Sequence, residues 1–158
     1  MKTYRKPIPG HALTQVYNSR ANGSDYEWKE VYKRFYAYDP RVVQVLDVDA
    51  DYIIMERLEG WTLDDTAKLC ALEARERKQI LQTVVSLHNS MLQWSDGCLD
   101  ESTVWMHNDM DLQNFMYTDS GIRLIDPESF DVRTLGIQHN NSRYGKFFEL
   151  YVKLLAYV

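Results

Sequence analysis

The longest hydrophobic period in this chain runs from Leu72 to Trp94, where Ile80, Leu81, Val84, Val85, His88, Met91 and Leu92 recur at helical spacing. A chain of 158 residues that contains such a helix has room for one compact domain, or for two small lobes sharing it. Shorter helical signals flank it. Ser24 followed by Glu27 forms a capping box, and Trp28, Val31, Tyr32 and Phe35 then fall on one face until Asp39-Pro40 ends the helix. Thr62 and Asp65 open a short helix over Thr62 to Leu69. Tyr144, Phe147, Phe148, Tyr151, Leu154, Leu155 and Val158 keep helical spacing to the last residue. That terminal helix is expected to pack on the core, and its apolar face is a candidate surface for a partner or a homo-oligomer.

Strand signals lie between these helices. Ala12 to Tyr17 has strand character before the Asn-, Gly- and Ser-rich loop Asn18 to Ser24. Val42 to Leu46 and Tyr52 to Glu56 suggest an antiparallel hairpin about the acidic turn Asp47 to Asp51. Thr103 to Met106, Phe115 to Tyr117 and Ile122 to Ile125 read as short strands, the last introduced by the turn Asp119-Ser120-Gly121. The elements predict an α+β fold with a small N-terminal antiparallel sheet carrying one helix, followed by a mostly helical part. A boundary between lobes is expected at Glu59-Gly60.

Charge and cysteine content exclude several classes of function. With 18 basic against 23 acidic side chains the net charge is -5, and no basic run offsets it, so neither nucleic acid nor acidic lipid is an expected partner. Cys70 and Cys98 form no C-x-x-C pair, which fits a reducing, cytoplasmic setting rather than a disulfide scaffold or closed zinc site. The N-terminus lacks a signal-peptide core, and no apolar run reaches the roughly 20 residues of a membrane helix.

The chemistry is concentrated in Met106 to Phe115 and in Leu124-Ile125-Asp126-Pro127-Glu128, where polar groups are bracketed by apolar strands. His107, Asp109 and Asn114 fit H-x-D-x-x-x-x-N, with Asp126 twelve residues further on, after a turn and a strand. Phosphoryl transfer needs a carboxylate near the acceptor hydroxyl and oxygen ligands for Mg²⁺ bridging the phosphates.

This order of features resembles the catalytic loop and metal-binding Asp of the protein-kinase-like superfamily, and Leu-Ile-Asp-Pro-Glu looks closest to its aminoglycoside- and choline-kinase-type branches. The resemblance implies a reduced two-lobed kinase-like fold, with residues 1–57 as a small lobe and 58–158 as a mostly helical lobe. It implies ATP and Mg²⁺ as cofactors, and a protein or small-molecule acceptor. Asp109 becomes the base, His107 the residue that braces the catalytic loop, and Asn114 and Asp126 the metal ligands. Met55 to Gly60 resembles the hinge between lobes, so Glu56 and Leu58 are expected at the adenine. Glu27 matches the glutamate that orients the phosphate-binding lysine, although its capping role also explains it.

Three departures from that family stand out. Too few residues precede Ala12 for two strands and a Gly-rich loop; Gly10 stands alone there. Gln15 falls where the phosphate-pairing lysine belongs, which leaves Lys2, Arg5, Lys6 and Arg20 as candidate replacements. Asp111 follows the base where the family usually has Lys or His, and its charge would repel a γ-phosphate unless it too binds metal. These departures keep open a second reading, a pseudokinase that binds and regulates a partner. Asp109-x-Asp111 also resembles the nucleophile motif of haloacid-dehalogenase-like phosphatases, but it lies two-thirds along the chain and is followed by Gln113 rather than Thr or Val. An EF-hand is excluded by Asn114 and Ser120 at the required Gly and Glu positions.

Overall fold

The computed structural model describes residues 1–8, 27–49, 51–100, 103–134 and 139–158. The expected strand Ala12 to Tyr17, with Gln15, lies outside them, as do Gly10, Arg20 and Ser24. In chain order the elements are β1 (Thr3–Pro7), α1 (Trp28–Tyr38), β2 (Val45–Asp49), β3 (Tyr52–Glu56), β4 (Gly60–Thr62), α2 (Thr66–Ala71) and α3 (Ala74–Cys98). There follow β5 (Thr103–His107), β6 (Phe115–Thr118), β7 (Gly121–Leu124), β8 (Phe130–Thr134) and α4 (His139–Leu155). Single 3₁₀ turns over Leu112–Asn114 and Pro127–Ser129 lead into β6 and β8.

The fold is mixed α+β, and the described residues form three small antiparallel sheets of order β1-β3-β2, β4-β6-β7 and β5-β8. The hairpin expected from Val42 to Glu56 is present as β2-β3, although Asp47 and Asp49 belong to the strand rather than to the turn. β1 was not expected, because Thr-Tyr-Arg-Lys-Pro has no apolar alternation. Among the described residues it is an edge strand, and its charged side chains and proline suit that place. β4 replaces the predicted start of the short helix, which begins at Thr66 with Asp65 accepting from the Lys68 N–H at 3.2 Å.

Helix α1 begins at Trp28 with Glu27 as its N-cap, which makes no side-chain capping bond there; Ser24, the other half of the expected capping box, lies outside the described residues. The predicted face is nonetheless the buried one, with Trp28, Val31, Tyr32 and Phe35 inside. Two hydrogen bonds pin the helix: Trp28 Nε1 donates to the Phe130 carbonyl at 2.9 Å, and the Tyr32 hydroxyl to the Val43 carbonyl at 2.6 Å. Tyr32, Trp105 and Phe130 pack in one aromatic cluster, Trp105 stacked on Phe130 with centroids 5.0 Å apart.

Helix α3 opens with a capping box of Glu73 and Glu76 and buries Ile80, Leu81, Val84, Leu87, His88, Met91 and Trp94. Helix α4 packs through Leu150, Leu154 and Phe147, whose ring stacks on His88 at 3.9 Å, while Phe148, Val152 and Leu155 face outward. The N-terminal sheet is stitched to the rest at Val43, whose N–H donates to the Leu124 carbonyl at 2.9 Å, and by an ion pair between Glu56 and Arg123. Buried side chains from all these parts form one core cluster. Among the described residues no helix is long and apolar enough to cross a membrane.

Candidate active site

Strand β5 ends at His107, and the loop that follows is folded around that ring. The imidazole is 1% exposed. Its Nδ1 accepts from the Asp109 backbone N–H at 3.1 Å, so Nε2 holds the proton and donates it to the Ile125 carbonyl at 3.0 Å. Burial pushes the pKa down to about 4 against the opposing pull of the Ile125 carbonyl, Asp126 and Asp109, which keeps the ring neutral at physiological pH. With both nitrogens engaged by backbone, His107 braces the loop; its place beside Asp109 in the expected catalytic set is a structural one.

Asn114 is 3% exposed and turns its amide nitrogen onto Asp109, reaching the carbonyl at 2.7 Å and Oδ2 at 3.1 Å. The carbonyl end of that amide is therefore the end left to meet a cation. The Asn114 backbone carbonyl accepts from Ile125 N–H at 2.8 Å, and Asn108 N–H donates to the Ser129 carbonyl at 2.9 Å, so the loop is tied to the segment that carries Asp126. Asp126 itself has φ 59° and ψ 61°, a left-handed conformation uncommon outside glycine and held here by the turn that Pro127 opens. The structure thus gathers His107, Asp109, Asn114 and Asp126 into one network.

A cleft of about 340 Å³ lies beside it. Val43, Met55, Leu58, Met116 and Ile125 give it apolar walls, Tyr4 lies on it from β1, and Lys6 and Asp126 supply charge. The size and lining suit a small ligand with one flat apolar part. Leu58 contributes its side chain, and among the described residues its backbone N–H and C=O make no hydrogen bond. The Glu56 carboxylate is committed elsewhere, to Arg123 and to the Gln44 N–H at 2.8 Å, and its backbone N–H donates to the Gln44 carbonyl at 3.0 Å, so neither is free for a ligand.

No family model matches this chain, and no curated protein does. The assignment of each group therefore rests on its own geometry.

Arg20 lies outside the described residues; of the three candidate cations within them, Lys6 is the one that reaches the site. Its ammonium pairs with Asp126 and lies 2.5 Å from Glu128 Oε1. Burial works against its charge, but the bonds to Asp126 and Glu128 outweigh that and raise its pKa. Lys2 instead pairs with Glu59, and Arg5 lies over the Tyr52 ring. Glu27 is exposed and makes no ion pair among the described residues, so it does not orient this lysine. The sequence contained a cue to Glu128 in the Asp-Pro-Glu run, but Lys6 and Asp126 stand 120 positions apart and no local pattern links them.

Asp111 is also answered from a distance. Lys153 on α4 pairs with it at 2.8 Å, and Lys146, two turns earlier, stands 3.8 Å from Asp109 Oδ1. Burial would raise the Asp111 pKa, yet Lys153 and the Leu112 N–H hold its carboxyl below the usual carboxylate range. The Asp111 charge is thereby balanced by a lysine from α4.

Asp126 and Asn114 offer hard oxygen donors, the kind Mg²⁺ takes alongside phosphate oxygens and water. Among the described residues no group of three or more His, Cys, Asp or Glu could hold a metal unaided. One oxygen from each of Asn114 and Asp126 leaves most of such a cation's coordination shell to other donors.

Proposed function

We propose that this chain is an ATP- and Mg²⁺-dependent phosphotransferase with a reduced, two-lobed kinase-like arrangement, acting on a hydroxyl of a protein or small-molecule acceptor. The observation that carries the reading is the ion pair of Lys6 with Asp126 in a cleft bounded by Met55 and Leu58, next to the loop of Asp109 and Asn114. In this reading β1 supplies the lysine, the sheet β1-β3-β2 with α1 is the small lobe, and residues 57–59 connect it to the rest.

The adenine enters between the apolar walls, where the Leu58 backbone can meet its edge. Lys6 reaches the phosphates. Asn114 and Asp126 would hold Mg²⁺, which when bound would neutralise charge on the phosphates. Asp109, its Oδ2 fixed by Asn114, takes the proton of the acceptor hydroxyl as that oxygen bonds to the γ-phosphorus. The bond from the γ-phosphorus to the β,γ-bridging oxygen breaks, its electron pair leaves with ADP, and the phosphorylated acceptor departs. His107 holds the base in place and moves no proton.

A thermal-shift titration with ATP and Mg²⁺ tests this first, because a ligand that binds only the folded state raises the melting temperature. Absence of a shift at millimolar nucleotide would overturn the reading. Given a shift, Asp109→Ala should abolish transfer and spare nucleotide binding, whereas Asp126→Ala should remove the metal dependence. The second reading, a pseudokinase serving as a regulatory module, draws on the outward row Phe148, Val152 and Leu155 of α4. A nucleotide-dependent shift without transfer to any acceptor would favour it.

A further inference from the structure

Under the phosphotransferase reading, on which this inference rests, a lysine that meets phosphate needs a carboxylate to hold it when the metal draws Asp126 away. We propose that Glu128 is the residue that positions Lys6, in the part that the family resemblance gives to a glutamate at α1.

The two carboxylates that share Lys6 are not equivalent. Asp126 is 29% exposed at the side chain and lines the cleft; Glu128 is 5% exposed and does not. Glu128 sits in the single 3₁₀ turn Pro127–Ser129, entered through the fixed φ of proline and left through Phe130, which is fully buried in the aromatic cluster. Its backbone is therefore anchored on both sides, and its Oε1 lies 2.5 Å from the ammonium. A metal ligand must turn toward its cation. A buried anchor need not move.

Helix α1 offers no alternative. Its acidic residue Glu30 and the preceding Glu27 are both exposed, and the face toward the core carries Trp28 and Tyr32, bonded to the Phe130 and Val43 carbonyls. The lysine is consequently held by a carboxylate from the same turn that carries Asp126, and α1 bears on it only indirectly, through Trp28 and Tyr32 against the Phe130 anchor.

The test compares Glu128→Gln, Glu27→Gln and Lys6→Met in the full chain, with Glu128→Asp as a variant that keeps the charge. Acetylation of Lys6 by an amine-reactive ester, read by mass spectrometry against the exposed Lys2 as internal reference, should be several-fold faster in Glu128→Gln, unchanged in Glu27→Gln and intermediate in Glu128→Asp. ATP·Mg²⁺ affinity should fall about tenfold in Glu128→Gln, and adding Lys6→Met should cost no more than Lys6→Met alone, because one group acts through the other. Additive losses would make Glu128 a merely structural residue and overturn the proposal. Unchanged acetylation with normal nucleotide binding would overturn the role of Glu128 while leaving the phosphotransferase reading intact. Faster acetylation in a chain whose wild type binds no nucleotide would overturn that reading, and with it any role for Lys6 toward phosphate.

Discussion

The Asp109 backbone N–H donates to His107 Nδ1 over 3.1 Å, and this one contact decides which ring nitrogen carries the proton. A second proton would have to displace it, inside a site that burial already makes hostile to charge. The folded pKa of about 4 lies below the ordinary 6.5, so between these values the unfolded chain binds a proton that the folded chain refuses. Stability from this group is complete above pH 6.5 and is lost as pH falls toward 4, by about 3 kcal/mol across the window. Urea unfolding at neutral and at acid pH should show that loss in the wild type and a flatter profile in His107→Gln. Equal slopes would place the acid sensitivity elsewhere.

Lys153 and Asp111 make a different kind of pair, exposed on the lysine side and 2.8 Å long. Its value to folding is small, because solvent screens it. Under the proposed phosphotransferase reading its value to the site is larger: without Lys153 the Asp111 charge would stand uncompensated beside the phosphates. Lys153→Ala should leave the melting temperature nearly unchanged and raise the KM for ATP about threefold at low salt. Asp111→Asn added to Lys153→Ala should return KM toward the wild-type value; steady-state kinetics with both variants checks this.

The parts of this molecule legible in its sequence are those whose signal is local. The α3 stripe, the buried face of α1 and the ordered run His107, Asp109, Asn114 and Asp126 are all written within a few turns or one loop. β1 was not legible, since Tyr4, Arg5 and Lys6 show no period and the strand exists by pairing with β3. β8 was missed for a similar reason: Phe130 and Val132 alternate, but the strand gains its place by pairing with β5 across more than twenty residues. Gln15 lies outside the described residues, and the pairing of Lys6 with Asp126 is set by tertiary distance, which no local pattern records. Glu27 looked like an interior helical residue only while the helix was started at Ser24.

Arg123 and Glu56 form the joint beneath the cleft, with side chains 13% and 16% exposed. Arg123 also donates to the Val42 carbonyl at 2.9 Å, and Glu56 accepts the Gln44 N–H. Removing one member leaves a buried charge without its counter-ion, the costly way to break such a pair. Arg123→Met should destabilise the fold by about 3 kcal/mol in denaturant unfolding, and Glu56→Gln in the same chain should recover part of it. Equal destabilisation by the single and double variants would mean that the loss is one of packing alone.

Gly60 opens β4 opposite Thr118, where the strand passes so close to β6 that a Cβ would run into the Tyr117 carbonyl. The obstacle is backbone and cannot swing aside. Trp61 stacks on Tyr117 with centroids 4.9 Å apart, so the strand cannot retreat without losing that contact, and Leu58 of the cleft wall lies two residues upstream. Gly60→Ala should therefore cost about 2 kcal/mol, a fall in melting temperature of about 6 °C for a chain of this size, and should weaken nucleotide binding as well. Gly97 supplies the opposite case. It lies within α3 with nothing within 4 Å of an added Cβ, so Gly97→Ala should stabilise by about 0.5 kcal/mol through helix propensity alone and leave binding untouched. Thermal melts of the two alanine variants should move in opposite directions; a neutral Gly60→Ala would show that β4 and β6 can separate without cost.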